Sequence, residues 1–233
     1  PDGAKLSKRH GALGAEAYRD MGYLPEAMRN YLVRLGWSHG NDEIFSTEQA
    51  IEWFNLESIG KSAARFDFAK LENLNAHYIR QADDARLMTP VLELMRKSGE
   101  WPVEDETFRT RLGLAMSGLK ERAKTLPELI EGAEYLRLSR PLTLSAKAEK
   151  ALSDDAKGLL GALVLVLKEL SDWTAPTIEA AVTQFLEAKE LKLGKVAQPL
   201  RATLTGGSVS PGIYDVLASL GQAEALARIE DQV

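Results

Sequence analysis

The recurrence of apolar residues at three- and four-residue steps limits this chain to a mainly α-helical fold. Leu24, Met28, Tyr31 and Leu35 step by four, three and four, which places them on one face of a helix. Pro25 suits the first turn, where its missing N–H costs nothing, and Gly36 suits the position just past the end. Leu87, Val91, Leu94 and Met95 give the same period over Asp84–Ser98. Leu112, Met116, Leu119, Ala123 and Leu126 continue it at steps of four, three, four and three. Ser46 with Gln49 reads as a capping box, and Thr125 with Glu128 as a second one opening a helix to about Leu138. Further helices are predicted near Phe68–Asn75, from Ser145, and over Ala156–Leu170 behind a Ser153 cap. Another follows Thr174 or Thr177 and carries Ile178, Val182 and Phe185, with Pro176 in its first turn. Ser210 and Pro211 read as the cap and first residue of a helix over Gly212–Leu220, ended by Gly221. The stretch VAQPLRATLTG fits a short strand or a helix equally well by period.

A chain of 233 residues with 45% hydrophobic and 27% charged side chains has material for one to three packed units and is not a disordered tail. Pro141 and the polar residues after it mark a boundary near 139–143. The lack of cysteine excludes disulfides and cysteine-held zinc, and is compatible with a reducing cytosol. Pro1 stands where a native start would place Met, as expected of a processed chain or a piece of a longer one. PDGAKLSKRH carries no apolar stretch and does not read as a signal peptide. The longest apolar run, around Leu159–Leu167, falls short of the roughly 20 residues a membrane span needs, so no membrane association is expected.

A net charge of -5 argues against nucleic-acid binding, but the distribution of charge outweighs its sum. Residues 1–40 hold six basic residues (Lys5, Lys8, Arg9, Arg19, Arg29, Arg34) against four acidic ones. From Leu191 to Tyr214, Lys192, Lys195 and Arg201 occur with no acid. Lys5-Leu6-Ser7-Lys8-Arg9 places two ammonium groups three residues apart. A short loop of that kind can close over a polyphosphate, with lysine as a compact, mobile point charge, and stabilise charge that develops on a transferring phosphoryl group.

Taken together, KLSKRHGA, YRDMGYLPEAMRNYLVRLGWSHG, EIFS, KSAARFD, KLENLNAHYIR, KVAQPLRATLTG and SPGIYDVLASLG follow one another in an order that closely resembles bacterial glutamyl-tRNA synthetases, from their KMSKS-type loop onward. The resemblance covers essentially the whole chain. It implies a class I enzyme that activates glutamate with ATP and Mg2+ and transfers the glutamyl group to tRNA(Glu), with tRNA(Gln) as a further potential partner. It implies a cytoplasmic protein, usually monomeric. By position in the motif, Lys5, Ser7, Lys8 and Arg9 match the catalytic loop, with Lys8 the foremost ATP contact. Arg9 stands where the name-giving pattern has serine, as glutamyl enzymes commonly do. The three histidines, His10, His39 and His77, lie in no HIGH-type pattern. The chain alone is therefore expected to bind no ATP and to catalyse neither half-reaction. The organisation implied is a loop and stem-contact fold over 1–80, then two all-helical anticodon-binding modules, an α-helix cage, over 81–140 and 141–233.

The same resemblance places an anticodon-reading arginine near LKERAKTL, which makes Arg122 the candidate, flanked by Lys120 and Lys124. Arginine suits the task because its planar fork hydrogen-bonds base edges or stacks on a splayed base. The plainer reading is a charged helix face that also holds Glu121. Lys192, Lys195 and Arg201 suit tRNA phosphates, which fix position without carrying sequence information; otherwise they line a solvated loop. Lys61 and Arg65 suit the inner corner of the tRNA, or else pack their stems. Trp53 and Trp173 read as core, Trp37 as packing at a domain junction, and Trp101 as the most exposed by context but still a packing residue. His10 and His39 read as structural. No set of side chains has metal-ligand spacing. A functional reading of a different class is a non-catalytic helical RNA-binding or protein-interaction module that keeps the loop sequence.

Overall fold

The computed structural model describes residues 13–61 and 64–233, and the regular elements among them are helices. In chain order they are α1 (Ala15–Asp20), α2 (Pro25–Gly36), α3 (Thr47–Trp53), α4 (Phe68–Gln81), α5 (Asp84–Ser98), α6 (Glu106–Lys120), α7 (Leu126–Gly132), a 3-10 turn (Glu134–Leu136), α8 (Ala146–Ala151), α9 (Asp154–Lys168), α10 (Ala175–Ala188), α11 (Gly194–Thr205), α12 (Ile213–Leu220) and α13 (Gln222–Glu230). Among the described residues, extended pairing is confined to an isolated antiparallel bridge between Trp37 and Ile59. No described helix is long and apolar enough to cross a membrane.

The chain forms two compact units whose limits differ from the predicted divisions at 80 and 140. The first comprises Pro1–Leu94 with Lys120–Leu129, and the second Met95–Leu119 with Ile130–Val233. The physical reason is that the segment after α6 returns to the first unit through hydrogen bonds from Asn75 Nδ2 to Lys124 O and from Leu126 N–H to Gly22 O, between residues far apart in the chain, which no local pattern announces.

In the first unit, Tyr18, Tyr23, Tyr31, Leu71 and Leu74 form a core flanked by Met28, Leu35, Phe66 and Tyr78. The predicted face of α2 is thus the one buried. Asp67 caps α4 by accepting from Ala69 and Lys70 N–H. Its own N–H donates to the Tyr31 hydroxyl at 2.6 Å. The Ser46–Gln49 capping box forms with both of its hydrogen bonds. Asn30, 3% exposed, donates to Glu43 O and accepts from the Tyr78 hydroxyl and Phe45 N–H, so a buried amide fixes the loop that leads into α3.

The second unit is built around α9 to α13. Ser153 caps α9 through Ala156 N–H, as predicted. VAQPLRATLTG resolves as helix α11. Val196, Pro199, Leu200, Thr203 and Leu204 are buried at helical spacing, and burial on one side holds the helix despite the internal proline. It ends at Gly206, whose φ of 68° suits glycine, and a Cβ there would lie 2.7 Å from Thr143 O. The predicted start of α12 shifts. Ser210 and Pro211 lie outside the helix, because the Ser210 hydroxyl accepts from Arg201 Nε at 2.9 Å and donates to Pro211 O. Thr174 precedes α10 without a side-chain cap. Its hydroxyl and that of Thr177 bond Asp172 instead, and hydrogen bonding, chiefly from Thr177, holds that carboxyl below the usual carboxylate range.

The helix predicted from Thr125 to about Leu138 is broken. α7 stops at Gly132, and a short 3-10 turn follows. Likewise the series of five apolar residues from Leu112 to Leu126 spans an interruption after Lys120, although Ala123 and Leu126 are both buried. Burial kept the spacing where the helix did not continue.

Arg228 fastens the second unit. Its guanidinium is 1% exposed. It donates to Glu224 and to three carbonyls from separate segments, Tyr135 O (2.9 Å), Leu204 O (2.7 Å) and Leu138 O (2.9 Å). Nearby, the Tyr135 hydroxyl shares a 2.7 Å bond with Ser219, and burial pushes its pKa up to about 12. Arg228→Met fills similar volume but leaves those carbonyls without donors. Urea unfolding should show a loss of about 3–5 kcal/mol, against less than about 1 kcal/mol for Arg140→Ala, whose surface pairs are long. Equal losses for the two variants would show that the guanidinium is not the fastener.

Candidate nucleic-acid interface

The turn between α6 and α7 carries the first basic group. Its backbone is held at Lys124 and Leu126. Ahead of it, Lys120 donates to Ala82 O at 3.0 Å and pairs with Asp84 at 2.5 Å, with its side chain 16% exposed. Within the turn, the Glu128 carboxylate accepts from Lys124 N–H at 2.9 Å, and the Thr125 hydroxyl accepts from Glu128 N–H at 3.4 Å. Of the predicted capping box only the Thr125 half forms, because the Glu128 carboxylate takes Lys124 N–H instead of Thr125 N–H. The Lys124 carbonyl accepts from Asn75 Nδ2 at 2.6 Å, and Leu126 N–H donates to Gly22 O at 3.2 Å. Gly22 has φ 81°, and a Cβ there would fall 2.2 Å from Pro127, so only glycine allows this close approach.

From that fixed turn, Arg122 and Lys124 point outward. Both are exposed, and Lys124 has only a loose 4.0 Å pairing with Glu72. Ala123 between them is buried and anchors the turn. Of the three cations predicted here, the structure therefore presents two and commits the third, Lys120, to the interior.

The second basic group divides in the same way. Lys192 and Lys195 are exposed beside the start of α11, while Arg201 is half-buried and bonded to Ser210, holding the loop before α12. Lys61 and Arg65 are exposed in the first unit. Lys5, Ser7, Lys8, Arg9 and His10 lie outside the described residues.

The tryptophans are mainly packing residues. Trp37 is 5% exposed within the first unit. Trp53 is half-buried and stacks on His39 with centroids 4.3 Å apart; His39 also meets Asp42 at 3.0 Å. Trp101 is half-buried beneath the Arg137 guanidinium, 5.1 Å away. Trp173 donates its indole N–H to Leu217 O. A groove of about 980 Å³ between α2 and α3 is lined largely by apolar side chains such as Leu32, Ile51 and Phe54, and its Arg86 is paired with Glu26 at 2.7 Å. No group of three or more potential metal ligands occurs among the described residues.

Sequence reasoning missed Asn75. The signal available was a polar residue on the buried face of α4, among Leu71, Leu74 and Ile79. A buried amide needs partners, but its sequence neighbours do not name them.

Comparison with known proteins places this arrangement. Residues 56–233 match the family model of an anticodon binding domain. Residues 1–73 match that of the catalytic domain of class I tRNA synthetases (E and Q). The chain is 66% identical to glutamate–tRNA ligase 2 of Parvibaculum lavamentivorans, over 100% of this chain and 47% of that protein. It is 56% identical to glutamate–tRNA ligase of Rhodopseudomonas palustris, over 100% of this chain and 50% of that protein. The chain thus spans about half the length of the curated relatives it matches. A solved glutamate tRNA ligase from Elizabethkingia meningosepticum superposes with a TM-score of 0.79 at 29% identity, covering 99% of this chain and 48% of that one. With both exposed basic groups inside the matched region, the chain belongs to the anticodon-binding domain family.

Proposed function

We propose that this chain is the tRNA-binding part of a glutamate–tRNA ligase, the enzyme that activates glutamate with ATP and passes it to tRNA(Glu). The observation that carries this reading is the match to the anticodon binding domain over 56–233, in a chain whose relatives along its full length are named glutamate–tRNA ligases. Arg122 and Lys124 face the anticodon arm. Lys192 and Lys195 meet phosphates, and Lys61 and Arg65 lie toward the inner corner of the tRNA. Lys120 and Arg201 serve the cations of their own units by holding the backbone near them, Lys120 through Ala82 O and Arg201 through Ser210.

Lys5, Ser7, Lys8 and Arg9 form the loop that contacts ATP, supplied with Mg2+ as substrate. Lys8 holds phosphate oxygens most strongly as charge shifts onto the leaving group, so its effect falls on the barrier more than on substrate binding. The working protein is a cytoplasmic monomer, and its choice between tRNA(Glu) alone and tRNA(Gln) as well rests on contacts around Arg122.

A titration with tRNA(Glu) and with the same tRNA carrying a swapped anticodon, at several salt concentrations, tests the reading. The native anticodon should bind more tightly. Log affinity should fall with log salt at a slope of about -3 to -4 if Arg122, Lys124, Lys192 and Lys195 each neutralise a phosphate. A flat salt response, or no binding, favours the protein-interaction module instead.

Lys120→Met should separate an internal cation from a phosphate contact. Urea unfolding should show a loss of about 1–3 kcal/mol with the salt slope unchanged. A slope shallower by about 1 at full stability would make Lys120 a tRNA contact. In the full-length enzyme, Lys8→Ala should slow single-turnover adenylate formation by about 100-fold or more and leave tRNA affinity near that of the parent. Unchanged activation would remove Lys8 from the ATP site.

A further inference from the structure

We infer that Asn75 is the positioning residue for the basic turn at 121–125, an inference that rests on the tRNA-binding reading of that turn. Asn75 is fully buried on α4, and its amide is spent on main-chain groups of distant segments. Oδ1 accepts from Leu24 N–H at 2.8 Å. One Nδ2 hydrogen goes to Gly22 O at 3.2 Å and the other to Lys124 O at 2.6 Å. Both donors of the amide are used, and a neutral side chain cannot offer more.

These partners lie at bends rather than inside helices: Gly22 and Leu24 between α1 and α2, Lys124 between α6 and α7. Buried main-chain groups at a bend need partners that the helix ladder cannot give. A leucine at position 75 would fill the space and suit the apolar face of α4, but would leave these groups unpaired. What the amide adds over a hydrophobic residue is a definite position for two bends.

The consequence reaches Lys124 directly. Its N–H is held by Glu128 and its C=O by Asn75, so the peptide planes on both sides are set. Its side chain nevertheless remains 51% exposed. Arg122 leaves the same turn two residues earlier. Lys124 thus starts from a fixed point and Arg122 from the same turn, which limits the ordering cost of placing them against an RNA. The grouping of Lys120–Leu129 with the first unit fits this anchoring.

The test is tRNA binding by the full-length protein, read as affinity and as salt slope. Asn75→Ala is compared with Arg122→Ala/Lys124→Ala, with the triple variant, and with Lys192→Ala/Lys195→Ala added to each. The expectation is that Asn75→Ala makes the slope shallower by about 1–2, matching loss of both cations, and that it costs nothing further once they are absent. Removing Lys192 and Lys195 should still make its full contribution in the Asn75→Ala background, which shows that the variant is folded. Asn75→Leu fills the space but offers neither donor nor acceptor, so it should give the same shallower slope should the alanine variant prove unstable. Additive losses in the triple variant, or an unchanged slope in both Asn75 variants, overturn the inference while leaving the tRNA reading intact. An unchanged slope in Arg122→Ala/Lys124→Ala overturns both.

Discussion

Buried polar side chains that satisfy main-chain groups at bends are the constraint on which the rest of this structure depends. A helical protein pairs most of its backbone within its helices, and the remainder collects at their ends. Here those ends are served from afar. Arg228 collects carbonyls at residues 135, 138 and 204, and Asn75 collects groups at residues 22, 24 and 124. Desolvation works against the Arg228 charge and lowers its pKa. Glu224 at 2.7 Å opposes that shift, so the guanidinium carries its countercharge with it. Apolar contacts alone would tolerate several orientations of short helices about one another, whereas a donor aimed at a particular carbonyl tolerates one.

This division explains what the sequence made legible. Helical period depends on residues three and four apart, so the faces of α2, α5 and α10 could be read directly. Capping depends on residues three apart, and Ser46 with Gln49 behaved as read. What failed depended on distance. Thr125 and Glu128 have the spacing of a capping box, but the carboxylate serves Lys124 N–H in a turn whose carbonyl is held by Asn75 on another helix. Ser210 has the look of a cap before Pro211, but Arg201 claims its hydroxyl. In VAQPLRATLTG the proline weakened the helical reading, and the burial that restores it comes from the surrounding helices.

The candidate interface divides along the same line. Charge grouping identified which stretches carry cations, because that is a property of composition. It did not separate the cations that face outward from those that hold the fold. Lys120 and Lys124 are four residues apart on the same basic stretch, yet one sits at 16% exposure against Asp84 and the other at 51%. The difference lies in Ala82 and Asp84, nearly forty residues upstream, which offer Lys120 a carbonyl and a carboxylate.

The acidic balance of the chain bears on what such a surface can do. At physiological salt, exposed charges more than about 8 Å apart are largely screened, so a net charge of -5 does not prevent Arg122, Lys124, Lys192 and Lys195 from meeting phosphates at contact distance. It does withhold the broad positive field that would draw in any polyanion. On the proposed reading, affinity then has to come from a few cations that all reach their phosphates together, and a nucleic acid of another shape satisfies only some of them. Specificity is a difference of affinities. Few cations, with Lys124 rooted in a backbone held by Glu128 and Asn75, give a larger difference between shapes than many cations on a pliable surface. On that reading the neutral, buried Asn75, which holds the Lys124 carbonyl, contributes to selectivity without being placed to touch the RNA.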